Sequence, residues 1–367
     1  VQAFIDSDDF DPGGDMDSEP TPAPPVQPEP FRFNGSGGEY FGIWIVNLLL
    51  TLLTLGLYSP WAKVRRLQYF YRNTELAGAP FDYHGKPWSI LKGRLVALGL
   101  LLIYHFATTY LSVWTAVALG LIALVLPWLL RNAFRFRAHY SSYRGLRFSF
   151  RGSLVGAYGV FLGYGALMFF TAYLAAPLFH QRLKRYQHGN AYFGGSAFSF
   201  SAGVGRFYRT YLPFMVGFTV LFALAFVPII GLSASAKAGG KPDPEAVAAA
   251  GFGFLAVFMV GALVLGPLFQ AAIQNLIWNH TALGPHRFVS RVSGWRLLWI
   301  TVTNVVLVAL TLGLFMPWAA VRVARYRASC TSLQVEGSLD AIVADAGAEV
   351  AALGEETAEI FDIDIGL

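Results

Sequence analysis

Side chains able to do chemistry in this chain fall into a few groups. Asn47, Asn304 and His105 are polar groups set inside apolar runs. At membrane depth such groups either hydrogen-bond helices together or mark a path for ions and protons. His105 lies beside Thr108 and Thr109, which favours a bond between helices over a proton relay. Asn47 and Asn304 each stand seven residues before a Thr-Leu-Gly-Leu phrase. They read as a symmetric pair that knits helices or lines a central polar site. Arg65, Arg66, Arg131, Arg182, Arg185, Arg322 and Arg325 follow apolar segments, where guanidinium groups suit anionic head groups or acidic chain segments.

Catalytic signatures are missing. There is no glycine-rich phosphate loop, no His-Glu-x-x-His and no nucleophile elbow. Of the 7 histidines, His280 and His286 are the nearest to a ligand pair, and no third ligand accompanies them. The single cysteine, Cys330, excludes an intramolecular disulfide and a multi-cysteine metal site. No catalytic residue, cofactor or metal is expected.

The elements that must position these groups are membrane helices. Hydrophobic residues make up 55% of the chain and charged residues 13%, with a mean hydropathy of +0.49. A soluble domain carries about 25% charge. Apolar segments stand near 40–59, 95–111, 112–130, 153–179, 211–232, 246–269 and 297–316. About 20 apolar residues cross a bilayer. The expected fold class is an all-α polytopic integral membrane protein with about seven embedded segments, internal repeats and small surface β-hairpins.

The repeat is explicit. Thr54-Leu55-Gly56-Leu57-Tyr58-Ser59-Pro60-Trp61-Ala62-Lys63-Val64-Arg65 matches 311–322 at nine of twelve positions. Pro60, Pro127, Pro177, Pro267 and Pro317 each end an apolar run. An aromatic strand starts 21 residues later at Phe81, Phe148, Phe198 and Phe288, and the same phrase opens at Phe31. Each module reads as a short basic helix and a tight hairpin, as in Lys63–Tyr71 followed by Thr74–Tyr83 around Ala77-Gly78. Module four departs from the pattern, with Leu268 in place of Trp and Ala272 in place of Arg.

Charge divides the chain. Residues 1–30 hold eight acids and residues 331–367 nine, with no Lys or Arg in either; all 27 basic residues lie between. The expected domains are a disordered acidic, Pro-rich tail (1–30), a membrane domain with five helix-hairpin modules (31–337) and an acidic amphipathic tail (338–367). Basic residues gather on the cytoplasmic side. Single apolar segments alternate with paired ones, so strict crossing would put modules on opposite sides. Placing the modules and the C-terminal tail together in the cytoplasm requires the single segments to re-enter or break. The start shows no basic region followed by an apolar one, so no secretory signal is expected there.

The phrase around 53–65, Asn73-Thr74-Glu75-Leu76-Ala77-Gly78 with Phe81-Asp82-Tyr83-His84-Gly85, and the tail Gly354-Glu355-Glu356 with Phe361-Asp362-Ile363-Asp364-Ile365 resemble the YjgN family over about 31–367. The resemblance implies a multi-pass protein of the bacterial inner membrane with a domain of unknown function. It supplies no ligand and no catalytic residue. The functional expectation is a membrane scaffold or a partner- or lipid-binding protein; the alternative is a transporter or channel for a small solute or lipid. The expected partners are the bilayer, anionic lipid and another protein, and no nucleic acid.

Overall fold

A computed structural model describes residues 27–110, 114–237, 243–337, 340 and 343–344. Its organising element is a sheet that joins every hairpin. The strands are β1 (Gln27–Pro30), β2 (Arg32–Phe33), β3 (Thr74–Leu76), β4 (Ala79–Tyr83), β5 (Ser141–Tyr143), β6 (Leu146–Phe150), β7 (Ala191–Phe193), β8 (Ser196–Phe200), β9 (Thr281–Leu283), β10 (His286–Ser290) and β11 (Thr331–Val335). From β3 to β11 each strand pairs antiparallel with the next. β1 pairs with β11 and β2 with β3, and only Phe31 separates β1 from β2. The N-terminal stretch therefore bridges the two ends and closes the sheet into a barrel. Among the described residues, closure leaves no strand edge to pair with another chain.

Turn chemistry makes the hairpins. Ala77 and Gly78 have φ of 46° and 73°, and Arg144 and Gly145 have 47° and 81°. Two consecutive positive φ values match the twist of the flanking strands. Phe31 stands where the fifth hairpin would need its return strand, and its N–H donates to the Thr331 carbonyl at 3.0 Å.

Each return strand feeds a helix that leaves the barrel and a second that comes back. Two pairs are deep: α3 (Pro87–Tyr110) with α4 (Thr115–His139), and α8 (Val204–Lys237) with α9 (Pro244–Trp278). These four helices are long and apolar enough to cross a membrane. Three pairs are shallow. They are α1 (Gly37–Leu53) with α2 (Ser59–Arg72), α10 (Gly294–Leu310) with α11 (Met316–Ser329), and the helix Leu154–Phe170 with α7 (Ala176–His188). Within Leu154–Phe170, α5 (Leu154–Tyr158) and α6 (Gly165–Phe170) flank a π-helical stretch, Gly159–Tyr164. At 17 residues, α1 is about 26 Å long, short of the ~30 Å hydrocarbon core.

The Thr-Leu-Gly-Leu phrase is the turn of a shallow hairpin. Thr54 Oγ1 donates to the Leu50 carbonyl at 2.7 Å and accepts from Tyr58 N–H at 3.0 Å. Thr311 repeats both bonds with Leu307 and Phe315 at 2.7 and 3.0 Å. Between them Leu55 and Gly56 (φ 51° and 92°), like Leu312 and Gly313 (49° and 95°), reverse the chain. Proline then opens the return helix, where its missing N–H costs nothing. In the deep pairs Pro127 and Pro267 lie inside continuous helices instead.

This changes the sequence expectation in two places. The class is helical with a large antiparallel sheet, not all-α, because the hairpins pair with one another. Of the seven expected spans, four have spanning length and three are shorter apolar helices. All the modules meet the same sheet, since the shallow hairpins bring the chain back to it. The sheet starts at Gln27, within the stretch expected as tail. Most of 1–30 and 338–367 lies outside the described residues, although Asp340 pairs with Arg144 at a hairpin turn.

The barrel is filled, not hollow. Leu76, Tyr143, Phe193, Leu283 and Leu333 are buried in one cluster. A second ring packs against it, with centroid separations of 6.1 Å for Phe31–Phe81, 6.4 Å for Phe31–Phe288, 6.2 Å for Phe198–Phe288 and 6.3 Å for Phe148–Phe198. Tyr143 and Phe193 bridge Phe81 to Phe148 at 4.7, 5.9 and 4.9 Å.

Candidate functional site: an axial basic cavity

The return helices converge beneath the aromatic ring. The face that meets the axis lies seven and ten residues after the proline on α4 and α7, three, seven and ten after it on α9 and ten after it on α11, as helical periodicity requires, and Tyr71 joins it from α2. On α4 that face carries Phe134 and Arg137, on α7 Lys184 and Gln187, on α9 Gln270, Gln274 and Ile277, and on α11 Arg327. They line an open cavity of ≈ 780 Å³ whose roof includes Phe81, Phe148 and Phe198. No carboxylate lies among its lining residues.

The cations are held by neutral partners. Lys184 Nζ donates to Gln187 Oε1 at 2.8 Å, and Arg327 Nη2 donates to Gln270 Oε1 at 2.6 Å. Arg327 Nε is buried without a hydrogen-bond partner. Arg137 bonds the Tyr71 hydroxyl and remains open to the cavity, although protein surrounds most of it. Burial, then the charge of Arg137, lowers the Lys184 ammonium below its ordinary value. Burial likewise lowers Arg327. His188, also at the wall, is brought down to about 4, first by burial and then by Lys184. Cations drawn partly out of water without anions beside them are costly. The arrangement suits an anion with an apolar body, whose tail would meet Phe134, Phe269, Ile273 and Trp278.

The residues singled out in the sequence lie elsewhere. Asn304 joins α10 to α11, donating to the Ala319 carbonyl at 3.3 Å and accepting from Arg322 Nη1 at 2.7 Å. Asn47 is equally buried, but its Oδ1 has no partner. Neither lines the axial cavity. His105 is exposed on α3 among Leu101, Leu102, Ile103 and Phe106. Arg131 Nε and Arg325 Nη2 donate to the Gly152 and Gly35 carbonyls at 2.7 and 2.8 Å, so both tie return helices to strand ends. Arg65 sits over the Tyr58 ring at 5.8 Å, Arg66 over Phe70 at 5.9 Å and Arg182 over Tyr164 at 5.3 Å. Arg185 is exposed.

Arg137, Arg327, Gln270 and Gln274 were missed by sequence reasoning. Their signal was available: counting from the proline along each return helix puts them all on one face. Place after each apolar run, by contrast, mixes the inner face of the return helices with the outer one.

Relatives agree on the setting. The chain is 27% identical over 364 residues to inner membrane protein YjgN of Salmonella typhimurium, covering 84% of this chain and 89% of that one. It is 32% identical over 137 residues to inner membrane protein YjgN of Escherichia coli O157:H7, covering 35% of this chain and 33% of that one. No solved structure matches. The model of a family described as bacterial proteins of unknown function, DUF898, matches residues 28–360, and the chain belongs to that family.

Proposed function

We propose that the protein resides in the bacterial inner membrane and binds an anionic amphiphile, with an acidic lipid as the natural class. Its anionic group would sit on Arg137, Lys184 and Arg327 and its apolar body against the aromatic wall. One observation carries the reading: an axial cavity with three cations, no carboxylate and an apolar roof. In a low-dielectric setting, charge-assisted bonds to a phosphate or carboxylate offset the cost of keeping those cations there. The names of the relatives support the inner membrane, and collection of the modules on one face supports a shared, cytoplasmic side.

Holding fits better than conducting. The barrel above the cavity is packed with aromatic and aliphatic side chains, so a solute following the axis meets a dry plug. Exchanging the detergent-purified protein and analysing the lipids it keeps tests the reading. Acidic lipids should be enriched about tenfold over their share of the membrane, and Arg137→Gln with Arg327→Gln should remove most of that enrichment. Retained lipid with bulk composition in both proteins would reject it.

A further inference from the structure

A separate cavity of ≈ 690 Å³ opens on the flank of the first shallow hairpin, between α1, α2, α3 and the start of α11. Lys63, Arg66 and Arg94 line it, and no carboxylate does. Asn47 also lines it; the residue is only 7% exposed, and its Oδ1 lacks a hydrogen-bond partner. The matching position shows what usually fills such a place. There Arg322 reaches from the return helix to Asn304, whereas Arg65, its counterpart on α2, lies over the Tyr58 ring. The space beside Asn47 is left polar, basic and open.

Its lip is apolar. Leu48 and Met316 line it with 37% and 51% of their surface exposed, and α1 and α3 present Leu49, Leu52, Leu98 and Leu101 outward alongside. Lys63, three residues after Pro60 on α2, lines this pocket and feels the charge of both Arg94 and Arg137. We infer that this flank pocket is a second binding site, taking the phosphate of an anionic membrane lipid on Lys63, Arg66 and Arg94 with its acyl chains along α1 and α3. Turning the Asn47 amide offers Nδ2 to a phosphate oxygen in place of the unmatched Oδ1. The inference shares its ligand class with the axial reading but rests on different residues, so either can fail alone.

Native mass spectrometry of the protein released from phosphatidylglycerol nanodiscs counts tightly held lipids. The expected result is loss of one lipid in Lys63→Gln/Arg94→Gln and of a different one in Arg137→Gln/Arg327→Gln. Asn47→Asp, which adds a negative charge to the pocket, should lower flank occupancy about tenfold, with folding checked by its elution volume and helical spectrum. An unchanged count in both flank variants, beside a loss in the axial variant, overturns the flank site and leaves the axial reading intact. In phosphatidylcholine nanodiscs, a phosphate adduct formed from added inorganic phosphate and absent in Lys63→Gln/Arg94→Gln would make free phosphate the ligand, and overturns the lipid assignment. No adduct there, with retained phosphatidylglycerol, supports it.

Discussion

Arg322 of α11 donates to Asn304 of α10 at 2.7 Å and to Thr303 Oγ1 at 3.2 Å, while Arg65 at the matching position leaves Asn47 Oδ1 buried and unpartnered. Two copies of one phrase have thus been put to different uses. The copy with the bond is a structural joint, and the copy without it faces a basic pocket.

Asn304→Leu is expected to cost about 2 kcal/mol, since it leaves the half-buried Arg322 guanidinium with only its Thr303 bond as well as losing its own bonds. Asn47→Leu removes an unmatched oxygen and should be near neutral. Thermal melts of the two variants in one detergent check this; equal losses would contradict the asymmetry.

The shallow hairpins share a latch. Tyr69, Tyr186 and Tyr326 each donate to the carbonyl of a serine 33 residues earlier, Ser36, Ser153 and Ser293, at 2.7, 2.8 and 3.1 Å. Each of those serines also caps the outgoing helix. Tyr186→Phe should cost about 1 kcal/mol, and Tyr69→Phe about the same. Denaturation midpoints measure it, and losses unrelated to the shared geometry would speak against equivalence.

Phe31 closes the ring in place of a fifth return strand. Phe31→Ala leaves a hole between Phe81 and Phe288, with an expected cost of about 3 kcal/mol. Deleting residues 27–33 should cost more, because β3 and β11 become open edges prone to pair with other chains. Light scattering of the deletion variant should show association; a monodisperse, equally stable protein would contradict closure.

His180 and His188 flank Lys184 on α7, and each is lowered to about 4 by burial, then by that ammonium. His180 Nδ1 meets the Tyr211 hydroxyl at 2.6 Å, and His188 packs on Phe200 and Trp278 and reaches Thr281 at 3.4 Å. Both are neutral in the folded protein at pH 6.5, where half of an unfolded chain's histidines carry a proton. Between about 6.5 and 4 the unfolded state binds more protons, so stability falls as pH falls through that window. Melting temperature against pH checks the sign, and His188→Gln should flatten part of the slope.

How much of this was legible follows from what a one-dimensional period can carry. Thirteen residues after Pro60, Pro127, Pro177, Pro267 and Pro317 a helix ends, and 21 after the first four an aromatic strand begins. The structure puts one backbone bond at each such junction: Asn34 to Asn73, His84 to Tyr140, Arg151 to Asn190, Ser201 to His280 and Arg291 to Cys330, at 2.8 to 2.9 Å. Barrel closure was not legible, because Phe31 pairs across nearly the whole chain with Thr331. Hairpins that look solvent-bound alone became a sheet only once five were placed side by side. The axial cavity was hidden for a similar reason: Arg137, Lys184 and Arg327 belong to separate helices and share nothing in sequence but a place on the same helical face, seven or ten residues after a proline.

A cryo-EM map of the protein extracted with its native lipid tests the central claim most directly. The account predicts density for an anionic head group within hydrogen-bond distance of Arg137, Lys184 and Arg327, with an apolar extension along Phe134 and Trp278, lost in Arg137→Gln/Lys184→Gln/Arg327→Gln. A water-filled cavity in the wild-type protein, with ordered lipid only at the outer rim, would contradict it.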